Sequence, residues 1–319
     1  MTLSQRVGVV LAREGMSGVL RRVARRLTGP APRARASGGQ AAQDMMAEAK
    51  AEYGRLTAAF AERTAGLGEK DLKRYYWYHT VDLGRGIVTP GDYDYRASLP
   101  NFHFPDDMRG MRVLDVGSAT GFFAFEFERR GADVVSVELP SIADWDMPSG
   151  EARHLTLQAL MRFHEVDTIE AVQHFHLDGP FEFCRRMLGS KVTRCHSRIY
   201  DLTPAKVGTD GFDLVFIGDV LLHTFSPLAG LAALAPLCRG TLIMAEALTP
   251  GFEDTPVMIY KGGDSLLADG RTWWSFNRLC LEQMLKRVGF RDVVLEGRHQ
   301  GILRRDWYMY DRAVIHATK

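Results

Sequence analysis

Four cysteines in 319 residues, with no C-x-x-C pair among Cys184, Cys195, Cys238 and Cys280, suggest neither a zinc knuckle nor a disulfide framework. No apolar run approaches the roughly 20 residues needed to cross a bilayer. A reducing cytoplasm fits both absences. Charge of one sign is missing too, since 40 Lys and Arg stand against 39 Asp and Glu for a formal +1. That balance hides an asymmetry. Residues 1 to 40 hold eight arginines against the single acid Glu14, which leaves the remainder acidic by difference and argues against a polyanion-binding body there. With 46% hydrophobic and 25% charged residues, the chain has room for one large α/β domain plus attachments.

One stretch organises the rest. Arg112 to Glu138, RVLDVGSATGFFAFEFERRGADVVSVE, reads as strand, glycine-bearing loop, helix, glycine stop and strand. Gly117 and Gly121 bracket the loop, the helix opens near Phe122, and the second strand ends on the acid Glu138. Such a β-α-β unit suits an adenosine-containing cofactor: the loop admits the ligand, the helix N-terminus faces a negative group, and the acid accepts hydrogen bonds from a ribose diol. A dinucleotide fingerprint would need glycine at positions 119 and 122, where Ala119 and Phe122 stand, so NAD is disfavoured.

VLDVGSATG, followed by Glu138, resembles motif I of the class I S-adenosylmethionine (SAM) methyltransferases. That family usually writes D-x-G-x-G-x-G, so Ala119 departs from it and tightens the loop. The resemblance implies a doubly wound, mostly parallel seven-stranded Rossmann-like sheet with an antiparallel C-terminal edge. It implies SAM contacts from Asp115, Gly117, Ser118, Gly121, Glu138, Asp201, Leu202, Gly218 and Tyr78.

Three regions follow from the composition. Residues 1–42 read as a basic amphipathic arm and a Gly/Pro linker, able to dock on an acidic membrane surface or a protein partner, or to lie solvated. Arg13 and Glu14 break any secretory apolar core. Residues 43–100 hold a helix ending before Gly68, then the densest aromatic segment, Tyr75 to His79, which reads as a lid over the ligand or a plug at the sheet edge. Residues 101–319 form the main domain, with an insertion near 144–176 whose His174-x-His176 lacks a third metal ligand at a telling distance. The third strand spans roughly Thr193 to Ile199 and delivers Asp201. A buried strand, Phe212 to Ile217, ends in Gly218-Asp219. Parallel strands present their C-terminal ends to the ligand, so Asp219, His223 and Glu246 are expected at the site. The segment Phe252 to Asp269 reads as polar turns, and Trp273, Trp274 and Asn277 open a last helix.

DVLLHTFSPLAGLAAL and WWSFNRLCLEQMLKRVGF resemble the wobble-uridine carboxymethyltransferases of bacterial tRNA over about residues 75 to 318. In that family a tyrosine precedes the histidine and arginines follow it. Here Leu222 precedes His223, and Thr224 and Phe225 follow, which points to ordinary SAM. The leading expectation is methyl transfer to a hydroxyl of a small metabolite or sugar, with His223 as general base, His79 as its rival and Asp219 as an orienting acid. A tRNA wobble modifier using SAM or carboxylated SAM, and a non-catalytic interaction module, are the alternatives. Asp219 and Glu246 together are a thin basis for a magnesium ion.

Overall fold

A computed structural model describes residues 40–262 and 271–319; residues 1–39, which hold most of the expected basic arm, lie outside them. Among the described residues no helix is long and apolar enough to cross a membrane. In chain order the elements are α1 (Gln40–Thr64), β1 (Arg112–Val116), α2 (Phe122–Arg129), β2 (Asp133–Glu138), α3 (Glu151–His164), α4 (Ile169–Gln173), α5 (Gly179–Leu188), β3 (Thr193–His196), α6 (Pro204–Val207), β4 (Phe212–Gly218), α7 (Pro227–Leu234), β5 (Cys238–Glu246), β6 (Met258–Tyr260), β7 (Trp274–Phe276), α8 (Arg278–Arg287), β8 (Asp292–Leu303) and β9 (Tyr308–Thr318).

Seven strands form one sheet in the order β3-β2-β1-β4-β5-β9-β8. β1 to β5 pair in parallel, while β9 runs antiparallel to both β5 and β8. The order steps outward from β1 to β3 on one side and from β4 to β5 on the other, so the crevice between β1 and β4 lies at the topological switch point. This is the mostly parallel sheet with an antiparallel C-terminal pair that the motif I resemblance implies.

Alternation along the central strands sends successive side chains to opposite faces, and both faces are covered. In β4, Leu214 and Phe216 enter one core with Phe123 and Phe127 of α2, while Val215 and Ile217 enter the other with Leu231 of α7 and Leu281 of α8. The aromatic segment belongs to the first core. Trp77 and Tyr95 are buried in it, and Phe60 of α1 meets the Trp77 ring edge-on at 5.2 Å. Residues 79 to 93 are tied by isolated bridges, His79 to Tyr93 and Asp82 to Val88, rather than by a named strand.

Two expectations about local structure need correction. Trp274 does not open the last helix: Trp274–Phe276 is β7, and it pairs antiparallel with β6 from the segment read as polar turns. Both runs are three residues long, too short for a period-2 signal to stand out. Asn277 caps α8 instead, its side chain accepting from the backbone N–H of Cys280 at 2.9 Å. The third strand stops at His196, and a short 3-10 turn, Ile199–Asp201, follows it.

Candidate active site

A cavity of about 310 Å³ opens at the C-terminal ends of β1, β2 and β4, and its size suits a small-molecule site. Gly117 and Ala119 from the loop after β1 line it beside Glu138 at the end of β2. The loop turns because Gly117 and Gly121 adopt φ of 75° and 88°. A Cβ on Gly117 would lie 2.4 Å from Val220, and one on Gly121 would lie 2.6 and 2.8 Å from the rings of Phe125 and Phe181. Gly121 is therefore required by core packing, and it does not line the cavity. Ala119 holds φ of 45°, a left-handed conformation that costs a side-chain-bearing residue roughly 1–2 kcal/mol.

Glu138 pins that strained loop. One carboxylate oxygen accepts from the backbone N–H of Ala119 at 2.9 Å and the other from that of Leu139 at 2.9 Å. Each oxygen keeps a second lone pair, so the carboxylate can hold its loop and still accept a diol. Behind the loop, buried Arg194 donates to the Ala119 carbonyl at 2.9 Å and places its guanidinium 4.1 Å from the Phe181 ring centre. With Glu138 on the wall and apolar Leu139 and Ile199 beside it, the residues present fit an adenosine-bearing group.

Asp115 lies under the loop rather than on the wall. It is 1% exposed, and its Oδ2 has no hydrogen-bond partner among the described residues. Burial pushes its carboxyl up to about 7, against the pull of Arg194. The folded value stands above the unfolded one, so the folded state binds the extra proton between the two. Stability is then highest below about pH 4 and declines as pH rises through about 7. Asp115→Asn should remove this decline, worth at most about 4 kcal/mol, and urea titrations of both proteins at pH 4.5 and 7.5 measure it. An unchanged difference between the two pH values in the variant would mean that Asp115 ionises normally.

Past β4 the wall continues through Gly218, Asp219, Leu222, His223 and Thr224. Asp219 is engaged by Arg312 of β9, whose Nε donates to its two oxygens at 2.6 and 2.8 Å. The Nδ1 of His223 lies 2.6 Å from the carbonyl oxygen of Arg271. A carbonyl only accepts, so Nδ1 carries the proton and Nε2 carries the lone pair. Two tryptophans steady this turn: Trp273 donates through its backbone N–H to the Leu222 carbonyl, and Trp274 through its indole Nε1 to the Thr224 carbonyl. Asp146 latches the same turn to the end of β3, accepting from the backbone N–H of Phe225 at 2.6 Å, from Arg198 at 2.9 Å and from the Tyr200 hydroxyl.

His79 is also on the wall but in another condition. It is 4% exposed, packed among the rings of Tyr78, Tyr95, Phe122 and Phe123, and burial pushes its imidazole down to about 3. Such a ring stays neutral and is a weak base. Tyr78 lines the cavity beside it.

Other expected site residues lie elsewhere. Asp201 is exposed and off the wall, with Ser197, Arg198, Ile199 and Tyr200 in its place, because the 3-10 turn rotates it outward. Leu202 and Ser118 are buried away from the cavity; the Ser118 hydroxyl pairs with Ser136. Glu246 is 1% exposed and does not line the cavity either. Burial and then nearby Asp219 raise its carboxyl well above the usual range. Among the described residues no group of three or more His, Cys, Asp or Glu is placed to hold a metal ion. His176 does line the cavity, from the helical cover, and meets His164, Nδ1 to Nε2 at 3.0 Å.

The C-terminal hairpin, expected only to close the antiparallel edge of the sheet, also supplies His299, Leu303, Arg305, Tyr308 and Arg312 to the wall. Its signal was the period-2 row Tyr308, Tyr310, Arg312 along β9, an aromatic and cationic stripe facing inward.

No family model matches the chain. It is 28% identical over 213 residues to a tRNA U34 carboxymethyltransferase of Pseudomonas fluorescens strain Pf0-1, a match covering 66% of this chain and 54% of that protein. A shorter match, 51% over 65 residues, is to a magnesium-protoporphyrin O-methyltransferase of Rhodobacter capsulatus and covers 20% of this chain and 29% of that one. The chain thus spans about half the length of the carboxymethyltransferases it matches. Among solved structures, the N-terminal domain of EvdMO1 with S-adenosylhomocysteine bound aligns with a TM-score of 0.43 and 15% identity over 85% of this chain and 96% of that one. Strand order, loop and sequence matches agree: the chain has a Rossmann-like, mostly parallel seven-stranded sheet, and its sequence is similar to the tRNA U34 carboxymethyltransferases over about half of their length.

Proposed function

We propose that the chain is a SAM-dependent methyltransferase that methylates a hydroxyl of a small acceptor. The observation that carries this reading is one continuous wall, from Glu138 and Gly117 at the ends of β2 and β1 to His223 past β4. When bound, SAM supplies a methyl group on a sulfonium sulfur, open to in-line displacement. Glu138 would hold the ribose diol, and the Gly117 loop would lie under the methionine portion. His223 would take the acceptor's hydroxyl proton at Nε2 as its oxygen attacks, and Asp219, held by Arg312, would fix the intervening wall.

The test is the mass of any small molecule carried through purification, followed by methyl transfer from labelled SAM to an acceptor panel with and without chelator. SAM or S-adenosylhomocysteine on the protein and chelator-insensitive transfer are the expected results. Absence of both compounds together with no transfer to any acceptor would contradict the reading.

The second reading, a tRNA wobble modification with SAM or carboxylated SAM, is favoured by the sequence matches to the U34 enzymes. It requires binding to tRNA that falls steeply with salt. The basic arm is proposed to place the enzyme on a membrane surface or partner. A chain starting at Gln43 should then retain its turnover on a soluble acceptor, and loss of turnover in folded protein would assign the arm to the pocket.

A further inference from the structure

We propose, resting on the methyltransferase reading above, that the acceptor is a small hydroxylated aromatic acid whose carboxylate is gripped by Arg305. Beyond β4 the cavity is walled by rings: Tyr76, Tyr78, Tyr93 and Tyr95 from the N-terminal aromatic segment, and Tyr308 from the hairpin. These rings offer flat apolar area, their polar atoms confined to one hydroxyl each. The Tyr76 hydroxyl is already committed, donating to Asp92 at 2.7 Å. A sugar would leave many hydroxyls without partners against such a wall, whereas a flat ring would bury its faces there.

The cations on the wall are not equivalent. Arg312 is held by Asp219 at 2.6 and 2.8 Å, Arg198 by Asp146 at 2.9 Å, and Arg271 places its guanidinium 5.0 Å from the Trp145 ring centre rather than over one of those tyrosines. Arg305 stands at the turn between β8 and β9 with its side chain 30% exposed. Its Nη1 donates to the Tyr76 hydroxyl at 3.1 Å; among the described residues its hydrogen bonds to a carboxylate go to Asp306 on the next residue, at 3.4 and 3.5 Å, the outer limit of a hydrogen bond, with the Asp92 carboxylate acting on it at longer range. A guanidinium so placed keeps fork geometry available for a carboxylate, and its contact with Tyr76 fixes it over the ring-lined end. A ring acid held there by its carboxylate would present a hydroxyl on its opposite edge to the rest of the cavity.

The experiment titrates 3,4-dihydroxybenzoate and its neutral amide, 3,4-dihydroxybenzamide, into the full chain saturated with S-adenosylhomocysteine. The acid should bind roughly tenfold or more tightly than the amide, the scale of one charge-assisted hydrogen bond. Arg305→Gln should erase that preference while leaving affinity for S-adenosylhomocysteine within about twofold, and Arg305→Lys should restore part of it. Equal binding of acid and amide, or binding of neither to the loaded protein, overturns the proposal and leaves the methyltransferase reading standing. A fall in affinity for S-adenosylhomocysteine in Arg305→Gln overturns it as well, by assigning the arginine to the cofactor. Failure of the wild-type chain to bind S-adenosylhomocysteine removes the methyltransferase reading and this proposal together.

Discussion

Glu138→Ala is expected to weaken SAM binding by at least the roughly tenfold to hundredfold that the loss of a ribose contact alone would bring. Removing a charged acceptor from a diol costs on the order of 1.5–3 kcal/mol, or one to two decades. The same carboxylate also accepts from the backbone N–H groups of Ala119 and Leu139, so its loss releases the loop at the residue held at φ of 45°. Glu138→Gln separates the two roles. Its amide oxygen can keep one loop contact but brings no charge to the diol, so an intermediate affinity is expected. Calorimetry on folded variants decides: unchanged SAM affinity in Glu138→Ala would place the ribose elsewhere.

His223→Ala is expected to lower turnover by roughly 10² to 10⁴ while leaving SAM affinity nearly unchanged, the signature of a lost general base. Arg271 holds the proton on Nδ1 and so presents the Nε2 lone pair for proton transfer. His79 makes the opposite case. Buried among four rings and pushed down to about 3, it is a poor proton acceptor, and His79→Ala should act on stability through lost packing. In the fraction that folds, its turnover should stay within a few fold of wild type. If His223→Ala turns over nearly as fast as wild type and His79→Ala does not, the base has been assigned to the wrong histidine.

The β-α-β unit with its glycine loop was readable because its demands are local. A strand, a loop with glycines at 117 and 121, a helix and an acid at 138 all sit within one β-α-β unit, and spacing along the chain maps onto spacing in the fold. The ring-lined end of the cavity was not readable because it is assembled from distant pieces. Tyr76 and Arg305 meet although 229 positions apart, and nothing in either neighbourhood announces the other. Asp201 shows the complementary failure. It stands where a family pattern would put an adenine contact, yet a 3-10 turn of three residues carries it to the surface. Asp115 and Glu246 show a third kind: acids at or near strand ends in sequence, but pointing into the sheet's covered interior, where burial raises both carboxyls. Period-2 alternation decides the face, and a shift of one residue moves an acid from the cavity to the core.

The central claim, a SAM site at the ends of β1 and β2, is tested most directly by titrating the purified wild-type chain with SAM and, in parallel, with NAD. One SAM bound per chain and no detectable uptake of NAD is the result the geometry of Gly117, Ala119 and Glu138 predicts. No SAM binding by the folded chain, or a preference for NAD, would contradict it.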